Sequence, residues 1–336
     1  MKHILVTGAT GFIASHLLPI LHQQGWQITA AVRNQFPHPP AIPLKTVAVG
    51  DINRHTDWSK ALEGIDTVIH LAARAHILQD DAPNPEAEFL EVNTLGTTQL
   101  VKHAIKAGVQ HFIFISSIGA MATLSDQILT ENSPCQPDTP YGCSKLKAEQ
   151  ALIELASSSN KMTWTILRPT LVYGQGNPGN MERLIKLVQK KFPLPFGSLK
   201  NRRSLVFVGN LVDAIATIIT HPQAKNQTFL ISDGEDLSTT QLIRQIAQCL
   251  ELPCHILPIP LSLLRLAGNL GDTIELISRR TFMLNSSTIS RLDGSLWVDS
   301  SKLCQTLNWQ PPYTLEQGLK ETLQSYTMNF PSPPNR

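Results

Sequence analysis

His3-Ile4-Leu5-Val6-Thr7-Gly8-Ala9-Thr10-Gly11-Phe12-Ile13-Ala14 stands near the start of the chain, and its reading decides the fold. A short apolar run, Ile4 to Val6, ends in small residues, and a segment with helical spacing comes next. Such a strand-to-helix turn needs small side chains where the backbone comes close to a bound diphosphate. The amides that open the helix then face the anion and help to neutralise it. The spacing is GxxGxxA, and Ala14 takes the place of the third small residue, where helix packs on strand. A βα turn with no ligand carries glycines too, so the motif gains its meaning from the rest of the chain.

Beyond this turn, strand-like and helix-like segments alternate. Short apolar runs at His3–Thr7, Gln27–Val32, Thr46–Val49, Thr67–Leu71, His111–Ile115 and Thr163–Leu167 predict strands. Helical spacing between them predicts helices near 11–24, 57–63, 86–107 and 141–159. Strands separated by helices imply a parallel sheet covered on both faces, and right-handed crossovers make it doubly wound. The expected fold class is α/β: a doubly wound parallel (Rossmann) sheet over residues 1–170, with a smaller C-terminal α/β substrate lobe over most of 171–330. After Arg168-Pro169 the texture changes to Gly174, Gly176, Pro178, Gly179, Pro193 and Pro195. Strands at Leu205–Val208 and Gln227–Ile231 and helices at 210–220, 239–250 and 315–326 are expected there, with about 205–232 returning to the first domain. The apolar segment Ile256–Leu284 has no single reading (lobe helix, lid or dimer surface), and the tail PSPPNR is expected to fray.

Composition narrows the function. The chain has 336 residues, of which 42% are hydrophobic and 16% charged, with a net charge of +2. That supports a sizeable core and gives nucleic acid no basic footprint. No run of about 18 apolar residues suggests a membrane span. The five cysteines form no CxxC pair, and the eleven histidines no HExxH, so reduced thiols, a cytoplasmic setting and no metal site are expected.

Further residues fit a dinucleotide crevice. Asp51, with Ile52 next to it, can accept from an adenine amino group or merely cap a helix. Leu71, Ala72 and Ala73 close the fourth strand with room for ribose and phosphate. Arg74 faces either the substrate or solvent. Asn93, on a helix, needs a partner if buried. The second strand ends Ala31-Val32-Arg33-Asn34, with no acid for a ribose 2′-hydroxyl, and Arg33 suits a 2′-phosphate. The cofactor reading is therefore NADP or NAD, leaning to NADP.

Tyr141-Gly142-Cys143-Ser144-Lys145 opens a helix, and residues four apart share a face. A phenol of pKa near 10 is a poor base at neutral pH. An ammonium at ~4 Å, with an effective dielectric of about 20, is worth roughly 4 kcal/mol. That is enough to bring the phenol close to neutral. Lys145 is therefore expected to make Tyr141 a usable acid and base. Ser116 and Ser117 end the fifth strand, where such sheets bind ligands and a hydroxyl can hold the reacting oxygen.

With these motifs the chain resembles the extended short-chain dehydrogenase/reductases, and among them the NAD-dependent epimerase/dehydratase family of nucleotide-sugar enzymes. The segments TGATGFIA, GDI, HLAA, VNTLGT, FISS, PYGCSK, LRPTLVYG and LNWQPPYTLEQGL carry the resemblance over most of the chain. It implies Ser117, Tyr141 and Lys145 as the catalytic residues. It implies cofactor contacts at Thr7, Gly8, Thr10, Gly11, Phe12, Ile13, Arg33, Asp51, Ile52, Leu71, Ala72, Ala73, Asn93, Ser116 and Pro169, shared with Tyr141 and Lys145. It implies substrate contacts at Arg74, Ser117, Asn180, Arg203 and Arg291, the two last on a diphosphate. Asn210 replaces the family's usual aspartate and Phe207 a usual histidine. The implied activity is hydride transfer at C4 of a UDP-linked hexose or N-acetylhexosamine, by an epimerase or a 4-ketoreductase, in surface polysaccharide precursor synthesis. A dehydratase lacks its acid pair at Ile118-Gly119. A reductase of non-nucleotide ketones and a non-catalytic dinucleotide sensor are the other readings. A homodimer through the 86–107 and 141–159 helices is also implied.

Overall fold

The computed structural model describes residues 2–36, 40–75, 84–177, 179–278 and 285–327. The tail PSPPNR and the end of Ile256–Leu284 lie outside them. Strands β1 (His3–Thr7), β2 (Gln27–Val32), β3 (Lys45–Ala48), β4 (Thr67–His70), β5 (His111–Ile115) and β6 (Thr163–Pro169) form the body of the main sheet. Strands β7 (Leu171–Tyr173), β8 (Arg203–Phe207), β9 (Gln227–Ile231) and β10 (Asp236–Leu237) come after them in the chain. The main sheet has seven strands in the order β3-β2-β1-β4-β5-β6-β9, and every pairing in it is parallel. All residues of β1, β4 and β5 are buried, as expected of strands covered by helices on both faces.

Two apolar layers sandwich this sheet. One gathers Ile4, Val6, Leu17, Leu21, Leu211 and Ile215, so the helices Phe12–Gln23 and Val208–Thr220 cover that face. The other gathers Leu5, Val68, Phe112, Leu100, Ala104 and Leu152, bringing in the helices Thr97–Ala107 and Pro140–Ser159. Burying each such leucine or phenylalanine contributes about 1.5–3 kcal/mol. The strand order reverses between β1 and β4, and the crevice beyond their carboxyl ends is where ligands of such sheets sit.

Two expectations change. Residues 57–63 form turns, not a helix: the Asp57 carboxylate accepts from the Ser59 amide at 3.0 Å and hydroxyl at 2.7 Å, and the Leu62 amide bonds the Trp58 carbonyl at 3.0 Å, a single turn that is not propagated. Trp58, Ala61 and Leu62 are buried all the same. Second, the strand expected at Leu205–Val208 runs Arg203–Phe207 and lies in a separate three-stranded sheet, order β10-β8-β7. Of the 205–232 stretch, β9 pairs with β6, and the helix Val208–Thr220 packs on Phe12–Gln23. The segment after Pro260 is a helix, Leu261–Ser278. Among the described residues no helix is long and apolar enough to cross a membrane.

Candidate active site

The crevice floor is built by the glycine turn. Gly8 has φ +64°, and a Cβ there would stand 2.8 Å from the amide nitrogen of Ala72. The two chain segments approach too closely for any other residue. Gly11 caps the helix Phe12–Gln23 with no side chain on its amides and no acid in the first turn. That helix end is suited to an anion. Thr7 is fully buried and its hydroxyl bonds His70 Nδ1 at 2.6 Å, so it ties β1 to β4. Thr10 and Gly11 are exposed and Phe12 and Ile13 half-buried along the same rim. Leu71, Ala72, Ala73 and Arg74, all half-buried, form the loop after β4.

Arg33 and Asp51 come together at the far edge. Arg33 Nε lies 2.8 Å from the Asp51 carboxylate, each side chain 76% exposed. Ile52 beside them packs against the apolar layer under the Thr97–Ala107 helix. Asn93 sits in a π-helical stretch, Leu90–Gly96, between the helices Pro85–Phe89 and Thr97–Ala107. Its Oδ1 accepts from the Arg74 amide at 2.8 Å. Its Nδ2 donates to the Arg74 carbonyl at 3.1 Å and to Ser144 Oγ at 3.0 Å. The buried amide thus braces the loop after β4 against the Pro140–Ser159 helix.

Thr139 caps that helix, accepting from the Gly142 amide at 3.1 Å, and Pro140 supplies a first-turn φ that needs no N–H donor. Tyr141 and Lys145 therefore project from its first turns towards the end of β5. The Ser117 hydroxyl accepts from the Gly119 amide at 3.0 Å, and the Tyr141 ring flanks the same glycine. Burial raises the phenol above its ordinary value, while Ser117 pulls it down. Lys145, 2% exposed, donates to the Ile115 carbonyl at 2.7 Å and rests 4.1 Å from the Phe114 ring centroid. Burial pushes it down to about 7, and Glu149 opposes that shift. The expectation that Lys145 by itself acidifies Tyr141 is not met in the protein alone. Its charge is spent on a carbonyl and a ring, and desolvation of the phenol is the larger effect.

Three contributors escape a reading of the motifs. Phe89 lies edge-on to Tyr141, ring centroids 6.1 Å apart, and carries the Arg74 guanidinium 5.5 Å above its own face. That brings Arg74 to the tyrosine side of the crevice. Glu149 and Arg168 form a buried ion pair with Nη2–Oε2 2.5 Å, and Ser116 donates its hydroxyl to the same carboxylate. Pro169, next to Arg168, ends β6 in the buried core.

The second lobe holds the remaining residues. Arg203 opens β8 and donates through Nη2 to the Arg291 carbonyl, which joins these two positions. Burial lowers its pKa. Asn180 opens the helix Asn180–Gln189 on an exposed surface. An open polar cavity of about 570 Å³ lies beside this segment, with Gly197, Lys200, Arg202, Asp236, Ser238 and Arg244 in its lining. Neither Ser117, Tyr141 nor Lys145 lines it. Asn210 is buried and joins two elements: it donates to Asp233 at 2.7 Å and to the Tyr313 carbonyl at 2.9 Å. Phe207 packs edge-on to Tyr313, centroids 5.2 Å apart. Both departures from the family pattern therefore serve the seam between the Val208–Thr220 helix and the LNWQPPYTLEQGL segment.

The chain is similar to known proteins over most of its length. A family model described as NAD dependent epimerase/dehydratase family matches residues 4–232. The chain is 42% identical over 330 residues to UDP-glucose 4-epimerase of Vibrio cholerae, covering 97% of this chain and 95% of that protein. It is 30% identical over 325 residues to the N-acetyl-alpha-D-glucosaminyl-diphospho-ditrans,octacis-undecaprenol 4-epimerase of Escherichia coli O157:H7, covering 96% and 94%. In fold it is similar to MoeE5, solved in complex with UDP-glucose and NAD, with a TM-score of 0.75, 23% identity and coverage of 97% and 99%. The chain belongs to the NAD-dependent epimerase/dehydratase family and is an enzyme of the extended short-chain dehydrogenase/reductase type.

Proposed function

We propose that the chain is a UDP-sugar 4-epimerase. The observation that carries the reading is that Ser117, at the end of β5, and the Tyr141 ring flank the same Gly119, with Lys145 one turn along the Tyr141 helix. It stands in a chain similar end to end to a UDP-glucose 4-epimerase. The cofactor is proposed to lie along the Gly8–Ile13 turn, with the Leu71–Ala73 loop and Pro169 lining its path. The cradle that a Cβ at Gly8 would fill fits a diphosphate. NAD, when bound, supplies a hydride acceptor and donor at C4. As the phenolate, the form that the positive charge of bound NAD and of Lys145 would favour over the phenol of the protein alone, Tyr141 takes the proton of the 4-hydroxyl and returns it, so it ends each turnover as it began. Ser117, oriented by the Gly119 amide, holds the same oxygen. Lys145 holds the nicotinamide ribose and adds positive charge beneath the phenol. Arg203 and Arg291, with Asn180, are assigned to the sugar diphosphate, and Arg74 to the sugar. NAD is preferred to NADP, because Arg33 is already engaged by Asp51. That choice also favours epimerisation, which regenerates its cofactor, over a 4-ketoreductase that consumes NADPH.

The setting is cytoplasmic polysaccharide precursor synthesis. The domains are residues 1–170 with part of 205–232, and most of 171–330. The assembly is a homodimer through the 86–107 and 141–159 helices, which light scattering tests. The function is tested by incubation with UDP-glucose, UDP-galactose and their N-acetylhexosamine counterparts, with and without NADPH, read by NMR. Interconversion without net cofactor change is expected. Stoichiometric NADPH loss points instead to a reductase, and turnover of none of these sugars ends the reading.

A further inference from the structure

Glu149 lies one helical turn beyond Lys145, and each is 2% exposed. The two side chains reach consecutive residues at the end of β5. Lys145 donates to the Ile115 carbonyl at 2.7 Å, and the Glu149 carboxylate accepts from the Ser116 hydroxyl. From β6, Arg168 donates to that carboxylate through Nε at 3.0 and 3.2 Å and through Nη2 at 2.5 Å. The Ser116 amide also donates to the Leu167 carbonyl at 2.8 Å. Helix, β5 and β6 are thus cross-tied directly beneath Ser117.

Among the described residues the charges around Lys145 are few. His70 faces it from β4, Tyr141 and Glu149 from its own helix, and Arg168 stands across Glu149 from β6, with Cys135 near Arg168. Burial holds His70 neutral, with its pKa at about 3, and keeps the Tyr141 phenol protonated. Lys145 and Arg168 are both buried cations, and a carboxylate between them is the local balance. Removing one partner from such a set leaves a buried charge uncompensated. A guanidinium cannot shed its proton in a protein, whereas an ammonium can. The lysine is therefore the group that gives way.

We propose that Glu149, held by Arg168 and Ser116, is a positioning residue that keeps Lys145 in its ammonium form and seated at the end of β5. This rests on the role given to Lys145 above. Its test is separate from the sugar assay, because it is read on the protein without substrate. The ε-carbon of Lys145 is followed by NMR in [ε-13C]lysine-labelled protein across pH, its resonance identified by its loss in Lys145→Arg. In a folded Glu149→Gln variant the titration midpoint is expected to fall by about one pH unit or more. In Glu149→Asp, which keeps the charge, it stays near the parent value. An unchanged midpoint in folded Glu149→Gln overturns the proposal. If Glu149→Gln does not fold, the double variant Glu149→Gln/Arg168→Met decides: with carboxylate and guanidinium removed together the midpoint must still fall, and no fall overturns the proposal. Failure of the sugar assay with these midpoints as expected refutes the epimerase reading and leaves the counter-ion role standing.

Discussion

Arg33 Nε and the Asp51 carboxylate hold each other at 2.8 Å where β2 and β3 end, at the edge of the cofactor crevice. A 2′-phosphate brought to this guanidinium meets a carboxylate already in place, and the two anions compete. Asp51→Ala frees the guanidinium and is expected to raise NADP affinity relative to NAD about tenfold, some 1.4 kcal/mol. Stability should scarcely move, since exposed ion pairs are worth about 0–1 kcal/mol. Calorimetric titration of both cofactors against parent and variant checks this. An unchanged affinity ratio shows that the pair does not govern the choice.

Replacing the proton carrier separates chemistry from folding. The Tyr141 ring packs on Phe89 and beside Gly119, and both contacts survive in Tyr141→Phe. The fold should persist while kcat falls about 10²–10⁴-fold, with KM little changed. Ser117→Ala removes a hydroxyl that holds the reacting oxygen and is expected to cost about 10²–10³-fold in kcat. Steady-state kinetics on the preferred UDP-sugar reads both. Full turnover by Tyr141→Phe would overthrow the mechanism.

The strands of the main sheet are legible in the sequence because a parallel strand buried on both faces must be an unbroken apolar run, as Ile4–Val6 and Phe112–Ile115 are. Tyr141 and Lys145 are legible because their chemistry lies within one helical turn. Glu149 and Arg168 are not. They meet across 19 positions of sequence, and Arg168 reads alone as the residue before a strand-ending proline. Phe89 reads as one more apolar residue on a helix stripe, and only the packing turns it to Tyr141 and Arg74. Acidification of Tyr141 by Lys145 is more than spacing can support, since spacing places two groups on one face and says nothing of the carbonyl that claims the ammonium. Arg33 misleads in the same way, its partner Asp51 being on another strand end.

Asp233 is the hub of the seam between the two sheets. Its carboxylate accepts from the Phe207 amide at 2.9 Å, from Asn210 Nδ2 at 2.7 Å and from the Tyr173 hydroxyl at 2.8 Å. Asp233→Ala leaves three buried donors without this acceptor, and such losses cost about 1–3 kcal/mol each when unrelieved. With partial relaxation a net destabilisation of about 3–5 kcal/mol is expected in urea unfolding. A loss below about 1 kcal/mol would mean that the seam is held by Phe207, Tyr173 and Tyr313 packing alone.

Acid should weaken the fold through two buried histidines. His70 bonds Thr7 Oγ1 at 2.6 Å and Thr97 Oγ1 at 2.9 Å, and burial, reinforced by Lys145, lowers its pKa from 6.5 to about 3. His111 bonds Thr163 and Thr165, and burial, reinforced by Lys225, lowers it from 6.5 to about 4. In the unfolded chain both protonate near the ordinary value, so below it the unfolded state binds more protons than the folded one. Their stabilisation is complete above that value and is lost as pH falls towards the folded values, by about 1.4 kcal/mol per pH unit per group. Together they should remove about 3–4 kcal/mol between pH 6 and pH 4.5. His111→Asn keeps a hydrogen-bonding side chain beside Thr163 but does not titrate, so the variant should lose about half of that slope. Urea unfolding at the two pH values reads the difference, and a variant as acid-sensitive as the parent would show that His111 is not one of the groups responsible.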